Sequence, residues 1–133
     1  MRRTFKREIN SLEGIFAFLR EFFAGEAIDP RHLYSVDLAA EELFTNMVKY
    51  NPGNRNEILV SISRVGDELR LSLTDFDVDA FDITQAPSDP LPAELQDRKG
   101  GGMGLCLVRQ MMDGIAYDYE NRQSSITVTK NLR

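Results

Sequence analysis

The sequence predicts an α+β domain, and three observations carry that assignment. Two stretches, 10–25 and 30–50, place apolar residues at spacings of three and four, the period of a helix with one buried face. Two others, 57–74 and 114–130, alternate apolar and polar residues about short polar turns, as antiparallel hairpins do. Between them, glycines at 100, 101, 102 and 104 run into Leu105, Leu107, Val108, Met111 and Met112, again at helical spacing.

In chain order, Thr4 to Ile9 alternates loosely and predicts an edge strand. Asn10 offers a helix N-cap and Glu13 completes a capping box. Leu12, Ile15, Phe16, Leu19, Phe22 and Phe23 then form an apolar stripe ending near Gly25, a core face rather than a cofactor box. Asp29-Pro30 suits the start of a second helix, stopped by Asn51-Pro52-Gly53-Asn54. On it Leu33, Val36, Ala40, Leu43 and Met47 face the core, and Glu41, Thr45 and Lys49 read as surface. His32, the one histidine, also takes a surface role. Strands at 57–64 and 68–74 flank Val65-Gly66-Asp67, and strands at 114–120 and 124–130 flank Asn121-Arg122-Gln123. The segment 83–99, rich in Pro, Asp and Ala, has the length of a lid.

A chain of 133 residues with 42% hydrophobic and 28% charged content suits one domain spanning 1–133. The net charge is −5 with its cations dispersed, which argues against direct nucleic-acid binding and a polybasic membrane anchor. No apolar run approaches the ~20 residues of a membrane span, and Met1 to Lys6 lacks a signal peptide's apolar core, so a cytoplasmic location is expected. The lone Cys106 excludes an intrachain disulfide and is expected to be a small buried hydrophobe.

The chemistry lies in three places. The glycines stand at a helix N-terminus, where unpaired amides and the positive end of the dipole favour a phosphate, and Arg98 and Lys99 add cations on the approach. A P-loop is excluded because Leu105 and Cys106 follow Gly104 in place of Lys-Ser/Thr. A dinucleotide fingerprint is excluded because Leu107 stands where glycine or alanine is required. On the second helix Glu42 and Asn46 lie one turn apart, a carboxylate that could take a proton beside an amide oxygen that could meet magnesium. The same spacing also describes a solvated helix face. Asp75-Phe76-Asp77-Val78-Asp79-Ala80-Phe81-Asp82 lacks the glycine and terminal glutamate of an EF-hand. One of its carboxylates at a strand end could instead receive a purine's amine, or the segment could be a polar turn.

The order of these pieces resembles the bacterial anti-sigma factor serine-protein kinase family, a branch of the histidine-kinase-like ATPase superfamily. The most specific matches are Glu-Leu-x-x-Asn within Glu42 to Asn46 and Gly-Gly-x-Gly-Leu-x-Leu-Val-Arg within Gly101 to Arg109. The resemblance implies a two-layer sandwich, with helices on one face of a mixed, mainly antiparallel sheet. It implies Glu42 as general base and Asn46 as the magnesium ligand. The ATP contacts it implies are Asn46, Lys49, Asp75, Asp77, Phe81, Arg98, Lys99, Gly100, Gly101, Gly102, Met103, Gly104 and Leu105. The implied partners are an anti-anti-sigma protein of STAS type, a sigma factor, and a second copy, since members often dimerise. One departure stands out: the family's adenine segment carries glycine where Asp77 stands, or Val78 if a one-residue gap is allowed. A side chain there is expected to crowd the purine, which gives the alternative of a regulatory module impaired in nucleotide binding and acting by occupancy.

Overall fold

The computed structural model describes residues 1–51, 53–80 and 102–133, with 102–105 described by backbone alone. In chain order the elements are β1 (Arg2–Phe5), α1 (Ser11–Gly25), a 3-10 turn (Pro30–His32), α2 (Leu33–Tyr50), β2 (Ile58–Val65) and β3 (Glu68–Phe76). They continue with α3 (Gly102–Met111), β4 (Gly114–Glu120) and β5 (Gln123–Asn131). The five strands form one sheet in the order β1-β2-β3-β5-β4, antiparallel at every pairing. This is the α+β sandwich expected from the alternation of helical and strand periods.

Period-two patterning sets the inner face of the sheet. Ile58, Val60 and Ile62 on β2, Leu69, Leu71 and Leu73 on β3, and Ile126 and Val128 on β5 are all buried. They form one core with Ile15, Phe18, Leu19 and Phe22 of α1, Val36, Ala40, Leu43 and Phe44 of α2, and Val108 of α3 with Met112 just beyond it. Each of these side chains larger than alanine contributes about 1.5–3 kcal/mol when removed from water, so this interface supplies the main stabilisation of the fold. The opposite face carries polar pairs between strands. Ser72 pairs with Thr127 at 2.7 Å and Thr74 with Ser125 at 2.8 Å, so hydroxyls cross-link neighbouring strands there.

Both hairpins turn on two residues. Gly66 has φ +61° in the first, and Asn121 and Arg122 have φ +52° and +62° in the second, as a type I′ turn demands. The second connection is thus one residue shorter than expected, because Gln123 already pairs with Glu120.

The N-terminal strand lies earlier than the 4–9 alternation suggested. After Phe5 the chain folds into a turn, with Glu8 N–H donating to the Lys6 carbonyl at 2.8 Å, and Arg7 leaves the strand for the interior. Asn10 does not cap α1. Its backbone is already helical, and the preceding turn takes over, with Ser11 N–H donating to Glu8 at 3.0 Å and Leu12 N–H to Ile9 at 3.0 Å. Asp29 does cap the second helical stretch through the N–H of Arg31 at 2.9 Å. His32 is buried rather than exposed, because the 3-10 turn rolls it inward, where Arg31 Nε donates to its Nε2 at 3.3 Å. Cys106 is half-buried rather than fully buried. Among the described residues, no helix is long and apolar enough to cross a membrane.

Candidate functional site

A cavity of about 300 Å³ opens between the C-terminal half of α2 and the end of β3. The helix contributes Leu43, Asn46, Met47 and Tyr50, which share one stripe because they are three or four residues apart, and Asn51 follows. β3 brings Asp75, the segment beyond it brings Val78, Asp79 and Ala80, and the second hairpin adds Tyr117, Ser124 and Ile126. The walls are therefore mostly apolar, with a few polar groups converging, as in small-molecule sites.

Asp75 and Asn46 are the buried polar side chains in this lining, 1% and 5% exposed. Asp75 is buried because position 75 falls on the inward parity of β3, where the sequence places a carboxylate after Leu69, Leu71 and Leu73. Its charge is matched by Arg7, whose Nη2 donates to Oδ1 and whose Nη1 donates to Oδ2 at 3.3 Å. Asn51 Nδ2 donates to Oδ2 at 3.2 Å. Arg7 is itself fixed by two carbonyls, Met47 at 2.9 Å and Asn56 at 3.3 Å. Met47 lies in the last turn of α2, where carbonyls lack helical partners and a cation suits the negative end of the dipole.

Asp77 has φ +57°, whereas Val78 is not in the left-handed region, so the backbone assigns the glycine conformation to 77. Aspartate tolerates that conformation better than most residues. Its side chain stays out of the cavity. The Asp77 carboxylate turns away to Arg122 Nε at 2.9 Å, and the cavity lining does not include it. Arg122 also binds Asp79 at 3.0 Å, its carbonyl accepts from Val78 N–H at 3.1 Å, and Tyr119 Oη donates to the Val78 carbonyl at 2.8 Å. The tip of the β4–β5 hairpin thus holds the 77–79 segment in place.

Glu42 is half-buried one helical turn before Asn46 and does not line the cavity. Burial pushes its carboxyl above the ordinary range, Glu41 adds to the rise, and Lys49 opposes it. Lys49 is exposed. Gly102, Met103, Gly104 and Leu105 form the first turn of α3, which packs against α2. Phe81, Arg98, Lys99, Gly100, Gly101 and the lid segment 83–99 lie outside the described residues.

No cluster of three or more His, Cys, Asp or Glu able to hold a metal occurs among the described residues. A buried amide oxygen such as that of Asn46 still fits magnesium, which keeps most of its waters and takes its other ligands from substrate phosphates. Arg7, Asn51, Tyr117 and Arg122 were not singled out from the sequence. Arg7 sits in a loosely alternating run whose local pattern says nothing of a partner 68 positions away.

Residues 5–130 match the model of the histidine kinase-like ATPase domain family. The serine/threonine-protein kinase BtrW of Bordetella bronchiseptica is 31% identical over 100 residues, covering 74% of this chain and 70% of that protein. In fold, the chain resembles the RsbU and RsbW domains of Rv1364c from Mycobacterium tuberculosis with a TM-score of 0.70 at 18% identity. That match covers 99% of this chain and 32% of the longer one. It also resembles a chain of the SiaB–SiaC complex from Pseudomonas aeruginosa, with a TM-score of 0.65 at 14% identity, covering 97% of this chain and 88% of that one.

Proposed function

Since the chain belongs to the histidine kinase-like ATPase domain family, we propose that it is an ATP- and magnesium-dependent serine-protein kinase of the anti-sigma type. Its substrate would be a serine on an anti-anti-sigma partner, and it would act in the cytoplasm. The observation that carries this reading is the burial of Asn46 and Asp75 in one largely apolar cavity at the end of α2. The name of the BtrW relative, a serine/threonine-protein kinase, supports the reaction class. The two-protein SiaB–SiaC assembly supports a protein partner.

In this reading the apolar walls hold the adenine, and Asp75 accepts a hydrogen bond from its exocyclic amine. Asn46 supplies one oxygen to magnesium, and the first turn of α3 presents amides toward the phosphates. The ion, when bound, neutralises charge developing on the phosphate oxygens. Glu42 takes the proton from the serine hydroxyl as its oxygen bonds to the γ-phosphorus. The bond from that phosphorus to the β,γ-bridging oxygen breaks, leaving ADP and phosphoserine. A carboxyl raised by burial holds a proton more tightly than a free one, which strengthens it as a base.

The test incubates the protein with labelled ATP, magnesium and a candidate anti-anti-sigma protein. Label is expected on the partner's serine with the wild type and to be lost with Glu42→Gln, and an undiminished rate in that variant would remove Glu42 from the mechanism. A second reading, regulation by occupancy alone, is favoured by the pairing of Asp75 with Arg7 and Asn51, which already satisfies most of its carboxylate. Partner binding without any magnesium- and ATP-dependent shift in melting temperature would select it.

A further inference from the structure

The buried pair on the cavity floor bears on which base the site accepts, an inference that rests on the nucleotide-binding reading above. An ionised carboxylate has about four acceptor positions and no proton to donate. Three of those on Asp75 are filled from within the chain: Arg7 Nη1 at 3.3 Å and Asn51 Nδ2 at 3.2 Å on Oδ2, and Arg7 Nη2 on Oδ1. The remaining position is on Oδ1 of a residue that lines the cavity. The Asp75 carboxylate therefore offers one acceptor and no donor, which matches an amino group on a purine and rejects a carbonyl in the same place.

The geometry points to Arg7 as the positioning residue that sets this choice. Its guanidinium is nearly buried and uses a planar fork, with Nε on the Asn56 carbonyl, Nη1 shared between Met47 and Asp75, and Nη2 on Asp75. The fork stops the carboxylate from rotating, so the free lone pair keeps one direction. A lysine has three donors on a single nitrogen and cannot span both carboxylate oxygens and two carbonyls at once. Arg7 acts through Asp75, and a 6-amino purine is preferred over a 6-oxo purine because of it.

A purely structural role for Arg7, tying the turn after β1 to α2, would weaken all nucleotides alike. The experiment titrates ATP and GTP, each with magnesium, into the wild type, Arg7→Lys and Arg7→Met, with circular dichroism and melting temperature recorded for each. The wild type is expected to favour ATP by about a hundredfold or more. Arg7→Lys is expected to stay folded, lose about tenfold in ATP affinity and narrow the ATP-to-GTP ratio by about tenfold. Arg7→Met is expected to narrow it further, and if that variant does not fold, the lysine variant decides. Folded variants that keep the wild-type ratio, whether or not both affinities fall, overturn the inference and leave the nucleotide reading standing. A wild type that binds neither nucleotide overturns both.

Discussion

Glu42 ties stability to pH, and in the proposed reaction it would tie reactivity to pH as well. Its carboxyl is raised in the folded protein by burial and by Glu41, so the folded state holds its proton to higher pH than the unfolded chain does. Stability from this group is therefore fully present below the unfolded value near 4.5 and is lost as pH rises through the folded one. Glu42→Gln is expected to raise the melting temperature at pH 7 by ~1–4 °C, and scans at pH 4 should show that gain gone. In the proposed reaction the same titration runs the other way: phosphoryl transfer should fall as pH drops through the raised value, in a pH–rate profile under saturating ATP. Asn46→Ala is expected to weaken magnesium-dependent ATP binding by about tenfold or more while magnesium-free binding changes little, measured by titration with and without EDTA.

At the level of elements, α2 does two tasks with two stripes. Val36, Ala40 and Phe44 fasten it to the sheet, Asn46, Met47 and Tyr50 line the cavity, and Leu43 belongs to both. Phe44→Ala is expected to cost about 3–5 kcal/mol, read from urea denaturation, because the side chain is fully buried. The β4–β5 hairpin works differently, since its tip steadies residues 77–79 through Tyr119 and Arg122. Tyr119→Phe deletes one hydrogen bond to the Val78 carbonyl, and about 1 kcal/mol of stability and a few-fold in ATP affinity should be lost together. The elements themselves were legible because their signals are local: the three-and-four spacing of α1 and α2, Gly66 in its turn, and the alternation of β3 and β5. Asn10 and His32 were misread because their surroundings are made by neighbours in space. A turn at 6–11 displaced the cap, and a 3-10 turn moved the imidazole inward.

For the whole molecule, the proposed ligand binds only the folded chain, so magnesium and ATP together should raise the melting temperature. At a hundred times the dissociation constant the gain is about 2.7 kcal/mol, several degrees for a domain of this size, and EDTA should reverse most of it. Of the cavity, helical spacing already paired Asn46 with Glu42, which stands just outside the lining, whereas the strand-end pattern pointed only to one of the carboxylates in 75–82 without choosing Asp75. Arg7 and Tyr117 could not be found that way, since Arg7 meets the cavity-lining Asp75 from the turn after β1 and Tyr117 arrives on β4, both through contacts between distant parts of the chain. The guanidinium of Arg7 meets groups 40, 49 and 68 positions further along the chain. A nascent polypeptide must therefore carry this cation without its counter-ion until residue 75 has been made and β3 has docked. The floor is thus assembled from distant parts of the chain, and base binding in the proposed function should vanish in step with global denaturation rather than ahead of it.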